Sequence, residues 1–293
     1  MRPTLSVLTL LPVALSAQAP VQTPAPAPAA PSLDAQFKAQ SPAINALLKS
    51  DPEAALAKVE ALIPAQPPVF DKSSIAGAQA SINDFEALTD LYSLGANAAM
   101  DMGQWEKARD YAGKAKSTAQ ATSDNAQEPL MAFQDTWKKA QADAQKNLDE
   151  MDALSKTQNP TPEQAGRLAF LQKNQAIYAG NVAHGKQMVD AVDTSLKGLK
   201  AAPGNYDAAI ADIDKHLKEE ADYLDKVKGD KKVYANALLK SAGTNPDKAA
   251  AMAGLRRALV VDPTNKAVAR KIEVMLGKAK DEPVKSGHHK KTK

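Results

Sequence analysis

The residues best suited to acid–base or metal chemistry are four histidines, and none of them falls in a recognisable site pattern. His184 and His216 lie on the flanks of separate apolar stripes, and neither belongs to a zinc-binding motif. His288 and His289 are adjacent in a Lys-rich stretch, where two ligands without a rigid framework do not make a metal site. The sequence therefore predicts no metal centre.

The sequence also contains no motif for a catalytic nucleophile or for a bound cofactor. The chain contains 0 Cys, which excludes disulfides, thiolate chemistry and c-type haem attachment. It has no GxSxG, no phosphate-binding loop and no dinucleotide fingerprint. The carboxylates of Asp212, Asp214, Glu219 and Glu220 are interpreted as solvated helix faces, because nothing marks a catalytic pair. We therefore predict that the protein is not an enzyme and holds no cofactor.

The amino terminus has the layout of an export signal. Residues 1–19, MRPTLSVLTLLPVALSAQA, place Arg2 before an apolar stretch that is followed by small residues, as in a secretory signal peptide. Residues 20–32 are rich in Pro and Ala, a composition that favours polyproline II geometry and predicts a semi-rigid linker. We expect an exported protein, either periplasmic or extracellular.

The net positive charge of the carboxyl-terminal segment exceeds that of the whole chain, which is +3. Residues 277–293 hold six Lys against Asp281 and Glu282, a net charge of +4, and segment 281–293 is interpreted as a disordered basic tail. Two interpretations stay open: a solvated tail that aids solubility, or electrostatic adhesion to an anionic envelope surface. Nucleic acid is not an expected partner, because aromatic residues make up only 4% of the chain and the rest of the body is nearly neutral.

Composition and proline positions predict an all-α fold. The chain has 57 alanines against 14 glycines, and alanine is the strongest helix former. Proline is excluded from helix interiors, so the prolines are expected to mark helix boundaries. Four of them follow a capping residue and are expected in first turns: Pro42, Pro52, Pro162 and Pro246. The strongest start signal is the capping box Thr161-Pro-Glu-Gln164.

The central part of the chain, residues 127–230, carries long apolar stripes. Within 162–202, two heptad rows form one seam: Leu168, Gln175, Val182, Val189 and Leu196, with Leu171, Tyr178, Gly185, Val192 and Leu199. Gln175 and Gly185 are its weak points, and Phe170 and Ile177 lie off the stripe. Short turns between long segments predict a helical hairpin or a three-helix bundle. The seam is interpreted as intramolecular core, with a dimer interface as the alternative.

The two ends of the chain contain repeat-like segments. Residues 88–116 place a turn at Gly103 before GQWEKARDYAGKA, with Ala108, Ala112 and Ala115 at the helix-packing positions. Residues 245–265 end in "ALVVDP", and residues 51–64 give a weaker match. These segments resemble a tetratricopeptide repeat. The resemblance implies antiparallel helical hairpins in 33–126, and a further repeat with a capping helix in 231–280.

Such hairpins stack into a groove that binds peptides or helices of other proteins. The groove-facing residues that the resemblance implies are Asp90, Ser93, Asn97 and Asp101 in the first match, and Asn236 and Lys240 in the last. The resulting prediction is an exported, non-catalytic scaffold that binds other envelope proteins or peptides. The alternative is a structural envelope protein that dimerises through its central helices and adheres to an anionic surface by its Lys-rich tail.

Overall fold

The computed structural model describes residues 31–279, and the predicted leader 1–19, the linker as far as residue 30 and the tail 281–293 lie outside them. The described part is all-α, as predicted, and contains no β-strand. Its helices are α1 (Leu33–Ser50), α2 (Pro52–Leu62), α3 (Ile75–Asp101), α4 (Trp105–Ser155), α5 (Pro162–Lys173), α6 (Gln175–Ala201), a 3-10 segment (Ala202–Tyr206), α7 (Asp207–Lys226), α8 (Lys231–Thr244), α9 (Lys248–Val261) and α10 (Lys266–Met275).

Two of the predicted helix starts are confirmed with their capping contacts. The carboxylate of Asp51 accepts a hydrogen bond from the backbone N–H of Ala54 at 3.1 Å, with Pro52 in the first turn of α2. At α5 the capping box is complete: Thr161 Oγ1 accepts from the N–H of Gln164 at 3.2 Å, and Gln164 Oε1 accepts from the N–H of Thr161 at 2.8 Å. Local sequence therefore determines these two helix starts.

Other proline-based boundaries are wrong. Pro42 lies inside α1 and Pro129 lies inside the 51-residue helix α4. A proline inside a helix costs ~3 kcal/mol, but the turns beside these two are anchored by buried side chains, Ile44 in α1 and Leu130 in α4. Packing therefore outweighs the lost backbone hydrogen bond. At Asn245-Pro246 the helix begins later than expected, because Asp247 caps α9.

The chain divides into two compact units, each built from three stretches. The described part of unit 1 comprises residues 31–38, 64–90 and 115–207. Its core contains Ile82 from α3, Ala126 and Leu130 from α4, and Val192 from α6. The predicted division between residues 126 and 127 falls inside α4.

The central heptad seam is partly buried within unit 1: three of its ten residues are buried, six are half-buried and Gln175 is exposed. Leu171, Gly185 and Val192 are covered by their own chain, whereas Phe170 and Ile177 are 52% and 59% exposed. The expectation that Gly185 weakens the seam is wrong. A Cβ at this position would lie 2.8 Å from Gln141 Cβ, so the missing side chain lets α6 approach α4 closely. Asn174 separates α5 from α6, which divides the predicted long helix.

Unit 2 comprises residues 39–63, 91–114 and 208–279 of the described chain. One core cluster joins the small residues Ala98, Ala99 and Ala108 to Trp105 and Ile213. A second cluster holds α8, α9 and α10 together through Ala235, Leu255, Ala258 and Val268. The alanines that the repeat-like pattern singled out at 108 and 112 are buried, which allows close helix packing.

The turn between α3 and α4 depends on a glycine for two reasons. Gly103 has φ of +71°, and a Cβ there would lie 2.3 Å from the backbone N of Arg257 on α9. Gly229, in the turn after α7, shares the positive φ (+76°) but has nothing within 4 Å of a Cβ.

We expect Gly103→Ala to lower the free energy of unfolding by more than ~3 kcal/mol, since backbone strain and a clash with α9 add together. The matched variant Gly229→Ala meets the strain alone and should cost ~1–2 kcal/mol. Urea unfolding followed by circular dichroism measures both. Equal losses for the two variants would show that the turn does not pack against α9 as described.

Candidate interaction surface

The most tightly bonded side chain of unit 2 is the guanidinium of Arg257, which is 2% exposed. It pairs with Glu220 on α7 through Nε and Nη2, each at 2.6 Å. It pairs again with Glu106 in the first turn of α4, through Nη1 at 2.8 Å and Nη2 at 2.7 Å. One arginine on α9 therefore binds two carboxylates from two other helices in a bidentate manner.

The remaining contacts leave no donor of Arg257 unused. Its Nη1 also donates to the carbonyl oxygen of Gly103 at 3.1 Å, so that all five N–H groups have partners. The guanidinium lies 4.7 Å from the centroid of the Trp105 ring, a cation–π contact. Beside it, Arg256 Nη1 donates to the carbonyl oxygen of Asp101 at 2.8 Å. The end of α3 and the start of α4 are thereby fixed to α9.

The electrostatics of this cluster follow from that geometry. The hydrogen bonds from Arg257 lower the pKa of Glu106, an effect that exceeds the opposing one of desolvation. Burial raises the pKa of the Tyr234 hydroxyl, and the negative charge of Glu220 and a hydrogen bond with it raise that pKa further. One guanidinium and two carboxylates leave the cluster with a net charge of −1, and every donor of the arginine is satisfied. The cluster is therefore structural.

The sequence did not single out this cluster, and one of its members was assigned wrongly. Glu220 was expected on a solvated helix face, but it is buried and bonded to Arg257. Asp214 of the same helix is exposed and pairs with Arg109 at 2.7 Å. The one available signal was the pair Arg256-Arg257 inside the Ala-rich segment that became α9.

The predicted groove residues of α3 differ in their environments. Asn97 is exposed, whereas Ser93 and Asp101 are half-buried and make contacts of their own within the fold. These three residues follow one another at intervals of four and therefore lie along one side of α3. Asp90, the fourth predicted residue of this helix, is half-buried and belongs to unit 1.

The predicted groove residues of α8 are both exposed. Asn236 Oδ1 accepts a hydrogen bond from Asn265 Nδ2 at 3.2 Å, which links α8 to the capping residue of α10. Lys240 lies one turn further along the same side of α8. The predicted groove residues that are exposed to solvent are thus Asn97, Asn236 and Lys240.

Asp90 lies near a second carboxylate that the sequence analysis missed. Desolvation raises the pKa of Asp90 to about 6. The side chain of Glu86 is partly exposed. Partial desolvation of its carboxyl group raises its pKa to about 7, the negative charges of Asp90 and Asp34 add to this effect, and Lys38 opposes it. Asp84, on the same helix, accepts a hydrogen bond from the backbone N–H of Asp34 at 2.9 Å. Unit 1 therefore places several acidic groups where α1 meets α3.

The two histidines of the described region contact tryptophans. The ring of His216 lies 5.1 Å from that of Trp105, and the ring of His184 lies 4.8 Å from that of Trp137. Asp212 and Glu219 flank His216 at 3.8 and 3.9 Å. Within residues 31–279, no group of three or more His, Cys, Asp or Glu side chains has the arrangement of a metal site. His288 and His289 lie outside the described residues.

Comparisons with known proteins give no assignment. No protein-family model, no curated protein and no solved structure matches the chain. Among residues 31–279, no helix is long and apolar enough to cross a membrane.

We expect Arg257→Met to lower the free energy of unfolding by ~3–5 kcal/mol, because it leaves the buried carboxylate of Glu220 without a counter-charge. Arg167 provides a matched control, since it also pairs in a bidentate manner, with Glu150, but is exposed. Arg167→Met should lower the free energy of unfolding far less, because solvent screens an exposed ion pair. Guanidinium unfolding measures both, and similar small losses would contradict the burial of the Arg257 cluster.

The raised pKa values of Glu86 and Asp90 predict that stability falls as pH rises. Their ordinary pKa values are 4.5 and 3.8, so their contribution is fully present below those values and is lost as pH passes through about 7 and about 6. We expect Glu86→Gln to raise the free energy of unfolding at pH 8 by ~1 kcal/mol, an amount reduced by solvent screening, and to leave it unchanged at pH 4.

Urea unfolding at pH 4, 6 and 8 tests this prediction. Asp143→Asn, which alters an exposed carboxylate on α4, is the control and should leave the slope with pH as it is in the unmodified protein. A gain from Glu86→Gln that is as large at pH 4 as at pH 8 would contradict the assignment of the slope to this carboxyl group.

Proposed function

We propose that the protein is an exported, non-catalytic scaffold of the cell envelope that binds other proteins or peptides through helical hairpins of the tetratricopeptide type. The observation that carries the proposal is the Arg257 cluster, which fixes the α3–α4 turn, α7 and α9 to one another. Such a cluster gives unit 2 a rigid helical framework without a ligand. A rigid framework lowers the entropic cost of binding a partner.

The binding surface that we propose consists of the exposed polar residues on α3 and α8. Asn97 is exposed on α3, and Lys232, Asn236 and Lys240 share the exposed side of α8. An asparagine amide both donates and accepts hydrogen bonds, which suits the backbone of a bound peptide or the polar groups of a bound helix. The lysines add attraction for carboxylates of the partner.

The export part of the proposal rests on the order of charged, apolar and small residues in 1–19 and on the Pro/Ala-rich stretch that follows. Removal of the leader can be read directly from the intact mass of the protein purified from the cells that make it. We expect a first residue at 17, 18 or 20, and retention of Met1 would contradict export by this signal.

Dimerisation through the central helices is not part of the proposal. Three residues of the seam that would form the interface, Leu171, Gly185 and Val192, are already buried inside unit 1. A dimer that used these three residues would require unit 1 to open and expose that core.

The test is capture of partners from envelope extracts with Asn97→Ala/Asn236→Ala. Two lost hydrogen bonds at ~1 kcal/mol each correspond to a drop in recovery of roughly tenfold or more. The matched control is Asn181→Ala/Asn205→Ala, which removes two exposed amides of unit 1. Quantitative mass spectrometry of the captured proteins compares the variants with the unmodified chain.

The result that supports the proposal is a defined set of proteins depleted by the first double variant and retained by the control. Equal recovery with both double variants would show that these residues of α3 and α8 do not bind the partners. Circular dichroism of each variant confirms that the helices are intact before capture.

A further inference from the structure

Positive charge is concentrated in the described chain from the end of α7 onward. Residues 226–279, here called the basic module, contain twelve Lys and Arg against four Asp and Glu, a net charge of +8. Residues 31–225 contain 19 Lys and Arg against 28 Asp and Glu, a net charge of −9. The near-neutral total therefore conceals a strongly cationic folded segment, separate from the tail beyond residue 279.

Most of the cations of the basic module face solvent and are lysines. The exposed lysines include Lys231, Lys232, Lys240, Lys248 and Lys266. Within the described residues, no carboxylate lies within 4 Å of the ammonium groups of these five lysines. Two of the three arginines are used inside the fold, Arg257 by its carboxylates and Arg256 by the carbonyl oxygen of Asp101. The exposed charge is thus made of compact point charges without the rigid fork that recognises a single carboxylate.

Several of these lysines meet at one end of the module. A loop of three residues makes α8 and α9 antiparallel neighbours, so the start of α8 lies beside the end of α9. The hydrogen bond from Asn265 to Asn236 places the start of α10 there too. This "basic end" is defined by Lys228, Lys231, Lys232, Lys266, Val233 and Val260.

Two acidic groups at the basic end, Asp230 and Asp262, are engaged internally, whereas Asp225, in the last turn of α7, is exposed. The carboxylate of Asp230 accepts hydrogen bonds from the backbone N–H groups of Lys232 and Val233, at 3.0 and 3.2 Å. Asp262 is buried and accepts from Thr264 Oγ1 at 2.8 Å. The side chains that point away from the fold at this end are therefore chiefly lysines.

Two apolar side chains accompany these charges. Val233 and Val260 are 42% and 44% exposed, and both belong to the basic end. Exposed apolar side chains within a cluster of lysines are typical of surfaces that lie on an anionic bilayer, where the charges attract phosphate groups and the apolar groups enter the interface. Lysine suits such a surface because its attraction does not require a fixed bonding geometry.

We propose that the basic end of the folded module binds the surface of an anionic phospholipid bilayer. The occupant follows from charge complementarity, from the preponderance of lysine and from the two exposed valines. The basic end shares Lys232 with the proposed scaffold surface but includes neither Asn97 nor Asn236. Partner capture with Asn97→Ala/Asn236→Ala and binding to vesicles therefore test the two proposals separately. It assigns the membrane contact to folded helices rather than to the tail.

The test is co-sedimentation of the purified protein, with its amino terminus verified by mass, with vesicles of phosphatidylglycerol and phosphatidylcholine or of phosphatidylcholine alone. Lys231→Glu/Lys232→Glu/Lys266→Glu reverses three charges of the basic end. These residues lie in the first turns of α8 and α10, where glutamate favours the helix, so we expect folding to be preserved. At about fivefold per lysine, binding to anionic vesicles should fall ~100-fold.

Two controls separate the basic end from other sources of charge. Lys173→Glu/Lys186→Glu/Lys197→Glu makes the same change in net charge at exposed positions of unit 1. Replacement of the five lysines at 280, 285, 290, 291 and 293 by Gln changes the net charge of residues 277–293 from +4 to −1 in the full chain. Both control proteins should keep most of the binding to anionic vesicles, and 0.5 M NaCl should abolish it in every protein.

Two results with the unmodified protein would overturn the proposal: no binding to anionic vesicles, or equal binding to both vesicle types. Two results with the variants would also overturn it: loss of binding in the tail variant alone, or equal loss in both charge-reversed triple variants. Sedimentation velocity without vesicles provides a further outcome. Self-association that the basic-end variant abolishes, together with no vesicle binding, would assign the basic end to the acidic residues of a second copy instead.

Discussion

Unit 2 depends on one buried cation that joins elements far apart in the sequence. Arg257 on α9 contacts Gly103 and Glu106 more than 150 positions earlier, and Glu220 on α7. Its charge is compensated and all five donors are used, so the large cost of desolvating a guanidinium is offset only while both carboxylates are present. The α3–α4 turn must also come very close to α9, which is why Gly103 has no side chain. The hairpin turn, the buried carboxylates and the arginine are therefore parts of one constraint.

The two units solve the packing problem in different ways. In unit 1 the helices α3, α4 and α6 meet through apolar rows, with Gly185 at a close approach to α4. In unit 2 small alanines allow close contact, and the ion cluster selects which helices meet. Apolar burial is non-directional, whereas a bidentate arginine accepts one geometry. This difference makes unit 2 the better framework for exposed residues that must keep fixed positions, such as Asn97 and Asn236.

Local signals were sufficient to predict the helical class and two capped helix starts, because each depends on neighbours within a few residues. They predicted the heptad seam only in part, since three of its ten residues are buried. Pro42 and Pro129 were mistaken for helix boundaries. The free-energy cost of a proline inside a helix is offset there by packing against other helices, which the local sequence does not reveal. Glu220 was assigned to solvent because its partner lies 37 positions away, and Glu106 and Arg257 were missed for the same reason. The basic module was also missed in the sequence. When the tail is counted apart from the rest of the chain, the +8 of residues 226–279 and the −9 of residues 31–225 cancel to a nearly neutral sum.

The most direct measurement of the central claim is hydrogen exchange of the Arg257 Nε proton in a ¹⁵N–¹H spectrum, with the resonance assigned by its loss in Arg257→Lys. A guanidinium that is 2% exposed and bonded at 2.6 Å to Glu220 should exchange orders of magnitude more slowly than the exposed guanidinium of Arg167. Protection of this proton at the level of the most protected backbone amides of α9 is the result that our account predicts. Exchange as fast as that of Arg167 would contradict it.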